Sequence, residues 1–216
     1  MGTEAPGVGE NAAMKLQRLA GYGPTAAYVS AGSLFVFFFI LIFGYPIAQA
    51  AQWASIPMTI VWFFALWLWL GALAVAVFDL EWLEHPATST RWFQLAHWAT
   101  LAALVVPVLL GIGLIANSGA IVSISFLLIG VTVGISLLIH NLDARRAGLM
   151  KGILPWLGVA TGVAYILAGI GIATSLPPVG FTALILGQTF YIAWAVWMGA
   201  KLGGSRATAQ PASAIR

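Results

Sequence analysis

Three histidines are the residues of this sequence whose type and placement could do chemistry. His97 and His140 lie inside two long apolar runs, and His85 follows a third. At 1.5 Å per helical residue, His97 lies ~9 Å from Arg91 and His140 ~7 to 8 Å from Arg145. If both arginines mark the membrane surface and the two runs are adjacent antiparallel helices, the imidazoles of His97 and His140 lie at similar depth.

Two imidazoles presented in this way predict a cofactor site. His97 and His140 could ligate the iron of haem b from opposite faces, or bind a transition metal together with His85. Nearby carboxylates could act as further ligands, as orienters of the imidazole N–H groups, or as a general base. The predicted metal-ligand set is His85, His97, His140, Glu81, Glu84 and Asp143, with Asp79 close by.

An alternative interpretation of these residues needs no cofactor. The sequence holds no His-x-x-x-His, Glu-x-x-His or His-Glu-x-x-His motif, and these are the spacings that would make a metal site specific. Thr132, Ser136 and His140, four residues apart, could equally form one polar stripe that bonds across a helix pair. Residues 81–85 could be a solvated amphipathic turn just outside the membrane.

Composition determines the elements that must position these side chains. Hydrophobic residues make up 61% of the 216 positions and charged residues only 7%, against about 25% charged in soluble domains. Apolar runs of about 20 residues, long enough to cross a membrane, cover Ala27–Pro46, Pro57–Phe78, Gln94–Ala116, Ala120–Asn141, Leu154–Thr174 and Gly180–Ala200. The sequence therefore predicts an all-α integral membrane protein, a bundle of six transmembrane helices over 27–200 with flexible tails at 1–26 and 201–216.

Charge and loop length predict the topology of this bundle. All nine basic residues fall in the two tails or in the loops around Arg91 and Arg145, whereas the other connectors carry no charge. The positive-inside rule then places both termini in the cytoplasm. The short connectors at 117–119 and 175–179 predict two antiparallel helix pairs. The first run is preferred as a retained helix over a cleaved signal, because it exceeds the usual core of about 7 to 15 residues.

Few polar groups remain for the interior of the predicted bundle. No Asp, Glu, Lys or Arg falls within the six runs, which disfavours proton pumps and ion-coupled carriers. Trp67, Tyr165 and Gln188 are the predicted binding residues for a small neutral or aromatic solute, although Gln188 could instead bond to a neighbouring helix. Glycines at spacing four, as in Gly130 with Gly134 and in 158–162, predict close helix packing.

Three functions follow from these observations. The preferred one is a non-catalytic accessory or scaffolding subunit that packs against the lipid bilayer and against other membrane subunits or a second copy of the chain. The alternatives are a haem- or metal-binding redox protein and a carrier or substrate-binding subunit for a small solute. Nucleic acid is not an expected partner, because the basic residues form no patch. The expected location is a plasma membrane of the bacterial inner-membrane type.

Overall fold

The computed structural model describes residues 22–44, 55–84 and 91–209, and these residues are all-helical. The helices are α1 (Gly23–Phe39), which continues as a π-helical turn (Ile40–Gly44), α2 (Ser55–Glu84), α3 (Arg91–Ile115), α4 (Gly119–Arg146), α5 (Leu154–Ala173) and α6 (Pro177–Ala209). Five of them, α2 to α6, are long and apolar enough to cross a membrane, and α1 is a shorter apolar helix. The described chain is therefore compatible with a helical bundle of the multi-pass membrane type.

Four helix ends lie clearly outside the predicted spans. α1 begins at Gly23, α2 continues to Glu84, α4 continues to Arg146 and α6 continues to Ala209. Residues 23–26 and 201–209, which the sequence assigned to flexible tails, are consequently helical. Apart from Tyr22, the rest of both predicted tails lies outside the described residues, and so does His85. The remaining helices match their predicted spans within a few residues at each end.

The helices form a closed ring in sequence order. Each helix packs against the one before and the one after it, α1 also packs against α6, and α2 reaches α4. The α3–α4 and α5–α6 connections are tight turns in which Asn117 (φ +48°) and Ser175 (φ +57°) adopt the left-handed conformation. In each turn a backbone N–H bonds back to the last turn of the preceding helix, at 2.9 Å for Ser118 to Gly113. The predicted antiparallel pairs are confirmed.

Glycines allow α4 and α5 to approach backbone to backbone. A Cβ added to Gly134 would lie 2.6 Å from the carbonyl oxygen of Gly162, and a Cβ added to Gly162 would lie 2.6 Å from that of Gly134. Gly130 faces Gly169 and the carbonyl of Tyr165 in the same way. Lipid chains are as apolar as the helix surfaces, so the hydrophobic effect does not drive helices together within a membrane. Close packing of this kind is therefore one of the forces that hold a membrane bundle together. These small residues therefore serve packing within the chain.

The ends of the helices that carry charge lie together. The carboxylate of Asp79 near the end of α2 packs against Gly23 at the start of α1. A Cβ added to Gly199 of α6 would lie 3.1 Å from the carbonyl oxygen of Pro24. With α3 beginning at Arg91 and α4 ending at Arg146, this end of the ring also holds the described basic residues of the loops. It is called the basic end below.

Candidate functional site

A buried carboxylate joins three helices near the basic end. Oε1 of Glu81, on α2, lies 2.6 Å from Nε2 of His140 on α4, and Oε2 lies 3.0 Å from Nδ1 of His97 on α3. Glu81 is 7% exposed and His140 is 1% exposed. The structure thus brings together three of the six predicted ligand residues. Glu81, His97 and His140 are called the His–Glu–His cluster below.

The alternative in which residues 81–85 form a solvated turn is wrong at Glu81. α2 remains helical to Glu84, and Glu81 (7% exposed) and the nearby Asp79 (1% exposed) are both buried. Burying a charged carboxylate is costly unless partners compensate it. The two carboxylate oxygens of Glu81 contact the imidazoles of His97 and His140. Asp79 lies at the N-terminus of α1, where the helix dipole favours negative charge. No Gly or Pro interrupts the chain between Phe78 and Pro86, and this signal could have predicted the longer helix.

The hydrogen bonds of His140 determine how many protons it shares with Glu81. Nδ1 lies 2.7 Å from the backbone carbonyl oxygen of Ser136, so this nitrogen donates. Nε2 faces a carboxylate oxygen of Glu81, so that contact needs a second proton. Either His140 is an imidazolium beside a carboxylate, or a protonated Glu81 donates to a neutral imidazole. In both cases the Glu81–His140 pair holds one shared proton and has no net charge.

Hydroxyl groups extend the cluster further into the bundle. Oγ of Ser136 lies 2.7 Å from Oγ1 of Thr100 on α3 and 3.4 Å from Nδ1 of His140. At the opposite side of the cluster, the side chain of His97 is 38% exposed. A continuous set of polar contacts therefore runs from the buried Thr100 to the half-exposed His97. Chemically, this arrangement can bind a proton and pass it between Glu81 and the imidazoles.

The cluster does not fit the predicted haem or metal site as it stands. A bis-histidine haem needs one free nitrogen on each imidazole, and both nitrogens of His140 are engaged. Asp143 bonds to Arg146 at 3.2 Å and not to the imidazoles. Within 22–44, 55–84 and 91–209, no group of three or more His, Cys, Asp or Glu is arranged to hold a metal ion. His85 and the side chain of Glu84 lie outside the described residues.

The predicted solute-binding residues separate into two places. The hydroxyl of Tyr165 donates to Oε1 of Gln188 at 3.1 Å, and both residues line a cavity of about 50 Å³ inside the bundle. Trp67 instead lies in an apolar groove between α2 and α3 and is 37% exposed. The indole at the cavity is Trp69, which the sequence reasoning did not choose. Its seven-residue spacing from Trp62, which places both on one face of α2, was the available signal.

Two further bonds between helices use residues that the sequence reasoning did not select. Nε1 of Trp194 on α6 donates to Oδ1 of Asn141 on α4 at 2.7 Å. The hydroxyl of Tyr191 on α6 donates to Oγ of Ser30 on α1 at 2.9 Å. Both pairs are buried. They show that polar side chains hold α6 to helices on two sides of it.

Fold and site together define a class: a helical bundle of the multi-pass membrane type with polar side chains bonded across its interior. Comparison of the chain with protein-family models, with curated proteins and with solved structures gives no match. What the protein does is therefore argued from its own contacts.

Proposed function

We propose that this protein is a non-catalytic integral membrane subunit that serves as an accessory or scaffolding component of a larger assembly. The observation that carries the proposal is that its interior polar side chains form hydrogen bonds from one helix to another. Each of the six described helices is joined to another by a side-chain hydrogen bond, through the pairs Glu81–His97, Glu81–His140, Thr100–Ser136, Tyr165–Gln188, Tyr191–Ser30 and Trp194–Asn141.

Such bonds hold helices to one another in a membrane. A solute carrier needs interior polar groups that are available to bind a substrate. A scaffold needs interior polar groups that bond to neighbouring helices and hold them in place. In this chain the amide oxygen of Gln188 is occupied by Tyr165, and that of Asn141 is occupied by Trp194. The interior chemistry thus favours a bundle that supports other components.

The outer faces carry large apolar side chains suited to lipid and to partner helices. Phe64 is 68% exposed, Trp98 is 67% exposed and Phe35 is 62% exposed, on three different helices. We place the partner, another membrane subunit or a second copy of this chain, against one of these faces. The proposal includes a plasma membrane of the bacterial inner-membrane type and cytoplasmic termini, on the basis of the charge distribution of the sequence.

Site-directed cross-linking in native membranes tests the proposal. The sequence contains no cysteine, so single cysteines carrying a photo-reactive label can report one position each. We expect a discrete protein cross-link of defined mass from one of Phe35→Cys, Phe64→Cys and Trp98→Cys, and none from the matched variant Ala195→Cys, whose position is fully buried. Lipid adducts alone from all three outward positions would contradict the proposal.

A carrier for a small neutral solute is the second candidate, favoured by the internal cavity beside Tyr165 and Gln188. About 50 Å³ exceeds the ~10 to 15 Å³ that one water needs, but it leaves no room for an aromatic molecule in this conformation. Uptake of small neutral solutes into reconstituted vesicles tests this candidate. Transport should fall in Gln188→Leu and persist in Thr189→Val, the exposed neighbouring position. Uptake insensitive to Gln188→Leu would count against a carrier.

A further inference from the structure

An apolar groove with a polar end lies on the outside of the bundle between α3 and α4. Its volume is about 390 Å³, and its walls include Leu95 of α3 and Ile135, Leu138 and Leu142 of α4. Leu95 is 45% exposed, so the groove opens to the surroundings of the bundle. From Ile135 to Arg146, α4 rises about 16 Å, which is half of a hydrocarbon core of about 30 Å. The groove therefore has the length of one membrane leaflet.

The polar end of the groove holds a carboxylate with unused bonding capacity. Asp143 and Arg146 both line this end, and Nη1 of Arg146 donates to Oδ1 of Asp143 at 3.2 Å. The side chain of Asp143 is only 7% exposed, and its Oδ2 is buried with no hydrogen-bond partner in the part of the chain that the structure describes. A buried acceptor that is left unbonded is destabilising, so the carboxylate of Asp143 favours an N–H or O–H donor from a ligand at the polar end of the groove.

Arg146 is the charged counterpart of this carboxylate. Its side chain is 72% exposed, which leaves guanidinium N–H groups free to bind an anion. The neighbouring Arg145 is directed elsewhere, because its guanidinium lies 4.4 Å from the ring centre of Trp156. Trp92, which is 63% exposed, stands at the same end of the groove and offers an aromatic face to a cation. The polar end thus presents one negative and one positive group, with no net charge.

We infer that this groove binds a membrane phospholipid whose head group carries a primary ammonium. The ammonium donates to Asp143, the phosphate accepts from Arg146, and one acyl chain lies along the apolar walls. A trimethylammonium head group has the same charge but no N–H to donate. A glycerol head group leaves the phosphate charge unbalanced beside a carboxylate. The inference requires only a membrane-embedded bundle, and it holds for a scaffold and for a carrier alike.

Native mass spectrometry of the full chain, titrated with phospholipids of identical acyl chains, tests this inference. Phosphatidylethanolamine should bind about tenfold more tightly than phosphatidylcholine or phosphatidylglycerol, the effect of one charge-assisted hydrogen bond. Equal affinity of the wild-type chain for the three lipids would overturn the inference.

Variants then identify the groups responsible. Asp143→Asn, which keeps the shape of the side chain, should reduce the preference for the ethanolamine lipid to within about twofold. Arg146→Gln should weaken binding of all three lipids, whereas Arg145→Gln, which removes the same charge outside the groove, should keep both affinity and preference. A second variant, Leu138→Trp, fills the groove without touching the ion pair and should lower ethanolamine-lipid binding. A preference retained in Asp143→Asn, with circular dichroism confirming the helical fold, would also overturn the inference.

Discussion

Removing the carboxylate of Glu81 should destabilise the bundle strongly. Glu81→Ala deletes the contacts at 2.6 Å to His140 and at 3.0 Å to His97. Each charge-assisted hydrogen bond contributes about 1.5 to 3 kcal/mol, and removing one partner of a buried ion pair costs about 3 to 5 kcal/mol. Because His140 is 1% exposed, the substitution leaves a buried imidazole without its partner at Nε2. We expect the free energy of unfolding to fall by about 3 to 5 kcal/mol.

Glu81→Gln should cost much less, because an amide can satisfy the same two imidazoles. Its NH₂ group can donate to Nε2 of a neutral His140, and its oxygen can accept from Nδ1 of His97. Only the charge assistance is lost, about 1 to 2 kcal/mol. The shared proton disappears in this variant, so ¹⁵N nuclear magnetic resonance should show His140 as a neutral ring protonated on Nδ1.

Reversible unfolding in detergent micelles, followed by circular dichroism, measures both variants. Gln94→Ala is the matched control, because this polar residue is exposed on the outer side of α3 and should change stability by about 0.5 kcal/mol or less. Equal losses for Glu81→Ala and Glu81→Gln would refute the hydrogen-bond argument. So would an alanine variant that unfolds like the control.

Two other contacts give predictions of smaller size. Gly134→Ala places a Cβ 2.6 Å from the carbonyl oxygen of Gly162 and should lower the free energy of unfolding by about 1 to 3 kcal/mol. Gly71→Ala is its control, because a Cβ added there would have no neighbouring atom within 4 Å. This variant should be neutral or more stable by up to about 1 kcal/mol. Trp194→Phe removes the donor to an amide oxygen and should cost about 0.6 to 1.7 kcal/mol, the range for bonds between membrane helices, while Trp98→Phe on the outer face should leave stability unchanged. Thermal melting of each pair in the same detergent measures the difference, and equal melting temperatures within a pair would contradict its prediction.

The architecture was predictable because it depends on length and apolar composition. Apolar runs of membrane-spanning length, separated by short uncharged or longer charged connectors, determine the number and order of the helices. The proximity of His97 and His140 was likewise predictable, since distance from a charged helix end fixes depth. Glu81 was one of several carboxylates expected to orient these imidazoles. The sequence did not show which of them would do so, because the contact depends on how α2, α3 and α4 pack together.

The face that each helix turns inwards was harder to predict. α2 is apolar on all sides, so a pattern of hydrophobicity cannot show that Trp69 faces the interior and Trp67 the outside. In a helix of a soluble protein, the polar residues mark the face that is exposed to water. In a membrane helix the face towards lipid is apolar, like the face towards the interior, so the sequence does not distinguish the two. Asn141 was overlooked for a related reason: its importance comes from an indole on a helix more than fifty positions away in the chain.

The central claim is that buried polar side chains bind the helices of this protein to one another. A double-mutant cycle between Glu81 and His140 tests it most directly, with Glu81→Ala, His140→Ala and the double variant unfolded under identical conditions. We predict a coupling energy of about 1.5 kcal/mol or more, because residues in one hydrogen-bonded network are not independent. The claim would be contradicted if the losses of unfolding free energy in the two single variants added up to the loss in the double variant within about 0.3 to 0.5 kcal/mol, as they do for distant sites.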